Sequence, residues 1–121
     1  MLIWLQVALG GALGALARYG VALWVGRNLG GAFPWGVFAV NILGCFLIGL
    51  LSVWMIHSQH LAQYRPFLIV GILGGFTTFS SFGLEAFQLI EARAWKEASL
   101  YILGTNIAGI VAVFLGMNFS R

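Results

Sequence analysis

Four apolar runs, each long enough to cross a bilayer as one helix, take up almost all of this 121-residue chain. A membrane-spanning helix needs about 20 apolar residues. The runs extend from about Leu2 to Val25, Trp35 to Ile56, Phe67 to Ile90 and Ala98 to Phe119. Short polar or glycine-rich turns join them, at Gly26 to Phe33, His57 to Arg65 and Glu91 to Glu97. Pro34 and Pro66 each stand at the start of a run, where a missing N–H costs nothing. The first run has no basic residue before it and is long enough to span, so it reads as a helix and not as a cleaved signal. The expectation is a single all-α, four-helix transmembrane domain over residues 1–121, with its chemistry inside the membrane.

Composition agrees. Only 7% of the residues are charged, against about 25% in a soluble domain. There is no Asp, and the net charge of +3 is spread thinly. No basic patch forms, which argues against a nucleic-acid partner. The one cysteine, Cys45, lies in an apolar run beside Gly44 and reads as a small packing residue. No Cys/His spacing suggests a metal finger.

Small residues mark where helices touch. Gly10 and Gly14 are four apart in the first run, and Gly104, Ala108, Ala112 and Gly116 repeat at four in the last. Four short helices bury little, so an oligomer is expected. Both termini and the second turn share one side of the membrane, with Arg65 and Arg121; Arg27, Arg93 and Lys96 are on the other. Two against three gives the positive-inside rule almost nothing to act on. Insertion in both orientations and one weakly biased orientation are equally open on charge alone.

The third run carries the most chemistry. From Gly74 it reads Gly-Gly-Phe-Thr-Thr-Phe-Ser-Ser-Phe, with Glu85 three residues further on. Paired glycines and clustered hydroxyls make a poor continuous helix. Non-helical backbone at mid-membrane depth is tolerated only where protein or water covers it, and there it commonly faces ions. A plain packing face is the competing reading. Phe76, Phe79 and Phe82 recur every three residues and so are expected on one helix face. They are either a lipid-facing stripe or ring edges, weakly positive, that line an anion path without trapping the ion. Asn41, Asn106, Thr105 and Tyr101 add polar groups inside spans, as interhelical glue or as donors to an ion. Glu85 is the one carboxylate deep in a span and is a functional candidate or a partner of Arg18, which lies inside the first run.

These pieces together resemble one family, the CrcB/Fluc fluoride channels, along nearly the whole chain. The resemblance rests on Gly10-Gly11-Ala12-Leu13-Gly14-Ala15-Leu16-Ala17-Arg18-Tyr19, on Pro34-Trp35-Gly36 leading to Val40-Asn41-Ile42-Leu43-Gly44, and above all on Gly74 to Phe82 with Glu85. It implies a passive channel, not an enzyme, that exports fluoride across the bacterial inner membrane to relieve toxicity. The implied assembly is an antiparallel, dual-topology homodimer with two pores and a broken third helix. Phe79 and Phe82 would be the pore rings and Asn41 a pore amide. Ser80 and Ser81 would line a polar track toward the fourth helix, where Tyr101, Thr105 and Asn106 would also face the pore. Backbone carbonyls of Gly74 and Thr77 would hold a structural sodium ion. Val37 and Ile110 stand where the family usually has hydroxyl residues. A small multidrug transporter, the main rival, would need an acid in its first helix, where this chain has Arg18 and none. A membrane enzyme would need a nucleophile with a base or paired acids; His57 and His60 lie in a turn with no acid near them in sequence.

Overall fold

The computed structural model describes residues 2–121. Helix α1 covers Leu2–Asn28 and α2 covers Trp35–His57; a one-turn helix α3, Gln59–Ala62, follows. The third span, Pro66–Glu91, is made of a π-helical segment Pro66–Leu73, a short α4 at Gly74–Phe76 and α5 at Phe79–Glu91. Helix α6, Trp95–Ser120, completes a set of four helices long and apolar enough to cross a membrane. No strand is present among the described residues. The protein is an all-helical, multi-pass membrane protein.

Several boundaries differ from the sequence expectation. Helix α1 continues three residues past Val25, because Leu29 still donates to the Val25 carbonyl and the Asn28 amide turns back to Trp24. Helix α6 starts at Trp95 rather than Ala98, so Lys96 and Glu97 belong to its first turn. The reversal before it is tight: Arg93 sits at φ 58, and Ala94 donates back to the Leu89 carbonyl. The turn at 57–65 holds α3 because Ser58 caps it, accepting from the Leu61 N–H at 3.2 Å.

In lipid, helices associate through close backbone contact, and large apolar side chains can face outward. Helix α1 follows that rule. Leu5, Leu9, Leu13 and Leu16 are exposed, while Gly10 and Gly14 are buried against the third span. A Cβ on Gly71 would lie 2.8 Å from the Gly10 Cα, and one on Gly75 would lie 2.6 Å from the Gly11 carbonyl. The second seam joins α2 and α6, where a Cβ on Gly116 would come within 2.9 Å of the Leu50 nitrogen.

The stripe expected at a spacing of four in α6 is buried only in its second half, at Ala112 and Gly116. The buried residues are Ala98, Tyr101, Gly109, Ala112 and Gly116. A step of four overshoots a full turn by about 40°, so a strict stripe walks off the contact. Gly104 and Ala108 are only partly buried, and Gly109, outside the stripe, is buried near Cys45.

The π-helical stretch gave no signal in the sequence. There the Gly74 N–H reaches the Ile69 carbonyl, five residues back, as well as that of Gly71. Wide turns of this kind favour functional sites, and this one ends where α4 begins.

Candidate functional site

The third span stops being helical at two residues. Thr77 (φ −83, ψ 157) and Thr78 (φ −151, ψ 121) are extended. The Leu73 carbonyl accepts from both the Thr77 N–H, at 3.0 Å, and the Thr77 hydroxyl, at 2.9 Å. Thr78 is held from α2. Its N–H donates to Asn41 Oδ1 at 2.8 Å, and its carbonyl accepts from Asn41 Nδ2 at 3.0 Å. Its hydroxyl accepts the Ser81 N–H at 3.1 Å and so caps α5.

This pairing decides which carbonyls are left over. In a continuous α-helix each N–H serves the carbonyl four residues back. The Thr78 N–H would serve Gly74 and the Ser81 N–H would serve Thr77. Both are diverted, one to Asn41 and one to the Thr78 side chain. The Gly74 and Thr77 carbonyls therefore lose their helical donors. Gly74 is exposed, and a Cβ there would meet only the Ile69 carbonyl, at 3.7 Å. An ion or a second chain can approach closely.

The two extended residues open onto a groove of about 350 Å³. Asn41, Gly74, Thr77, Phe79, Phe82, Thr105 and Asn106 line it, so the structure brings together most of the residues singled out by sequence. Ser80, Ser81 and Tyr101 are not among its lining. Ser80 is exposed, with its hydroxyl 3.2 Å from that of Thr78. No Asp, Glu, Lys, Arg or His lines the groove, whose wall is mostly apolar with a few hydroxyl and amide groups.

The phenylalanines do not share one face. Phe76 is buried, since the extended residues separate it from the next helix; Phe79 is 80% exposed and Phe82 only 7%. The Phe79 and Phe82 rings lie 5.5 Å apart and tilted, and Phe82 packs on Tyr101 at 5.0 Å. Tyr101 has no exposed surface in the single chain and sits in a core with Phe82, Ala86, Leu89 and Ala98. Its hydroxyl donates to Glu85 Oε1 at 2.9 Å. Glu85 is thus partnered by Tyr101, not by Arg18, whose buried Nε has no hydrogen-bond partner. On its other side Glu85 borders a second cavity with Gln88 and Pro34.

On α6, the Asn106 amide turns back to the Ile102 carbonyl at 2.7 Å. The Thr105 hydroxyl oxygen is buried with no partner. Sequence reasoning missed three participants. Thr78 looked like one more hydroxyl in a run, Cys45 like packing, and Gly44 only like its small neighbour. Gly44 is the clearest in retrospect, because a Cβ there would strike the Thr77 side chain. Among the described residues no three His, Cys, Asp or Glu side chains cluster to hold a metal. Backbone carbonyls are the donors this site offers a cation.

A family model described as CrcB-like protein, Camphor Resistance (CrcB), matches residues 5–117. Curated relatives agree over the same length. The fluoride-specific ion channel FluC of Paracoccus denitrificans is 49% identical over 97% of this chain and 93% of its own. That of Chloroflexus aurantiacus is 43% identical over 97% and 94%. That of Thermus thermophilus is 47% identical over 93% and 89%. The groove, the paired threonines and the rings thus lie within a match that spans nearly the whole sequence, and the chain belongs to the CrcB-like protein family.

Proposed function

We propose that this chain is a passive fluoride channel of the bacterial inner membrane, working as an antiparallel homodimer with two pores. The observation that carries the reading is the identity of 49% over 97% of the chain with a protein named as a fluoride-specific ion channel. The groove supports it. Its polar groups can replace part of the hydration of a small anion, and it lacks the fixed cation that would hold the ion too long. Phe79 and Phe82 would offer ring edges. Asn41 keeps one N–H beyond the pair with Thr78. Thr105 offers an unpartnered hydroxyl, with Ser80, Ser81 and Asn106 along the track toward α6 and Tyr101, buried and bonded to Glu85, behind Phe82.

The near-equal count of basic residues on the two sides fits dual topology. In an antiparallel pair the broken third helices would meet near the two-fold axis. Carbonyls of Gly74 and Thr77 from both copies fit a structural sodium ion there, since those carbonyls have lost their helical donors. When bound, the ion would offset the charge of the converging carbonyls and tie the two copies together.

The direction of flow follows from acid–base chemistry. Hydrogen fluoride crosses lipid uncharged and ionises in the more alkaline cytoplasm. An inside-negative potential then drives the anion out, with about 2.3 kcal/mol per 100 mV for each charge. Bacterial cells lacking other fluoride export should hold less internal fluoride when they express this chain, and the difference should grow as the medium is acidified. Equal internal fluoride with and without the chain contradicts the reading. For the assembly, an introduced cysteine at either terminus should be labelled from both sides of the membrane. Labelling from one side alone rules out dual topology.

A further inference from the structure

We infer that Asn41 and Thr78 form a positioning clamp that holds the Gly74 and Thr77 carbonyls open for the sodium ion, and that Asn41 acts mainly through this clamp. The inference rests on the sodium reading above and deepens it.

Asn41 presents its amide to one residue as a second strand would. It accepts from the Thr78 N–H at 2.8 Å and donates to the Thr78 carbonyl at 3.0 Å. A side chain that served only to glue two helices would need one of these bonds. Having both satisfies the two polar groups of an extended residue in the middle of a span. It also removes the N–H that would otherwise close onto the Gly74 carbonyl. The Thr78 hydroxyl does the same one turn later, taking the Ser81 N–H that would close onto Thr77. Two side-chain acceptors thus keep two carbonyls free, one each. Without them the backbone can resume the helical pattern, and the carbonyls become ordinary helix acceptors.

The test is sodium-dependent thermal stability of the purified full-length protein. Sodium chloride is varied against N-methylglucamine chloride at constant ionic strength. A ligand that binds only the folded protein stabilises it in proportion to the logarithm of its concentration above the dissociation constant. The parent's melting temperature should be flat at low sodium and climb with the logarithm of sodium once an onset near the dissociation constant is passed. Asn41→Ala and Thr78→Val should shift that onset upward by at least about tenfold, while Thr78→Ser, which keeps the capping hydroxyl, stays within about twofold. A purely structural role lowers the melting temperature at every sodium concentration and leaves the onset alone. That result, in a parent that does respond to sodium, overturns the clamp. A parent with no response overturns the sodium reading itself, and the clamp with it. If Asn41→Ala does not purify folded, Thr78→Val against Thr78→Ser decides the matter, because both leave the Asn41 pair in place.

Discussion

Replacing Phe79 by isoleucine is expected to cut fluoride efflux at least about tenfold, a barrier change of roughly 1.4 kcal/mol, in a protein that still folds. Phe79 is 80% exposed in the single chain, so its ring supports little of the subunit's own core. It borders the groove, tilted against Phe82 at 5.5 Å. Isoleucine keeps much of the bulk but loses the ring quadrupole, whose positive edge is the proposed contact with the anion. Phe82→Ile should reduce efflux as well, with a stability cost that Phe79→Ile lacks. Phe82 is buried on Tyr101, and a ring pair of this kind contributes about 0.5–1.5 kcal/mol beyond area burial. Liposome efflux and melting temperature, measured on the same preparations, separate the two effects. If both variants conduct like the parent, the rings are lipid-facing filler.

Gly14→Val should remove most of the folded protein from a size-exclusion profile in detergent, whereas Gly20→Ala should change nothing. A Cβ on Gly14 would collide with the Ile72 carbonyl oxygen and lie 2.9 Å from both the Ile72 carbonyl carbon and the Phe76 nitrogen. All of these are backbone atoms and cannot rotate away. Helix α1 would have to leave the third span, and overpacking typically costs about 1–3 kcal/mol or more. That is a large part of a total stability of about 5–15 kcal/mol. The same displacement would push on α4, where the Gly74 carbonyl is presented. At Gly20 a Cβ would meet nothing within 4 Å, so the change there should stay within about 0.5 kcal/mol. A Gly14→Val protein with the parent's profile and melting temperature contradicts the close packing of α1 on the third span.

What could be read from the sequence was what local pattern controls. The four spans were legible because lipid demands long apolar runs, and the short turns between them followed. The weakness of the helix around Thr77 and Thr78 was legible too, from paired glycines and clustered hydroxyls. What happens there was not. The partner of Thr78 is Asn41, 37 residues away, and no spacing rule reaches across that distance. The even recurrence of Phe76, Phe79 and Phe82 misled for a related reason: a three-residue period means one face only if the backbone between stays helical. In α6 the spacing of four looked like a seam, but the contact follows 3.6 residues per turn, so Ala112 and Gly116 are buried while Tyr101 and Gly109 take the places expected of Gly104 and Ala108. Tyr101 was singled out as a polar group near the pore, and only the fold reveals that its hydroxyl is bound to Glu85.

The central claim, passive and selective conduction of fluoride, is tested most directly with purified protein in liposomes. The vesicles are loaded with potassium fluoride or potassium chloride and diluted into a medium free of both anions. No anion should leave until valinomycin lets potassium leave with it, since a passive pore moves charge and needs a counter-current. Fluoride should then leave rapidly, with chloride retained under the same conditions. Fluoride retained after valinomycin, or chloride released as fast as fluoride, contradicts the account.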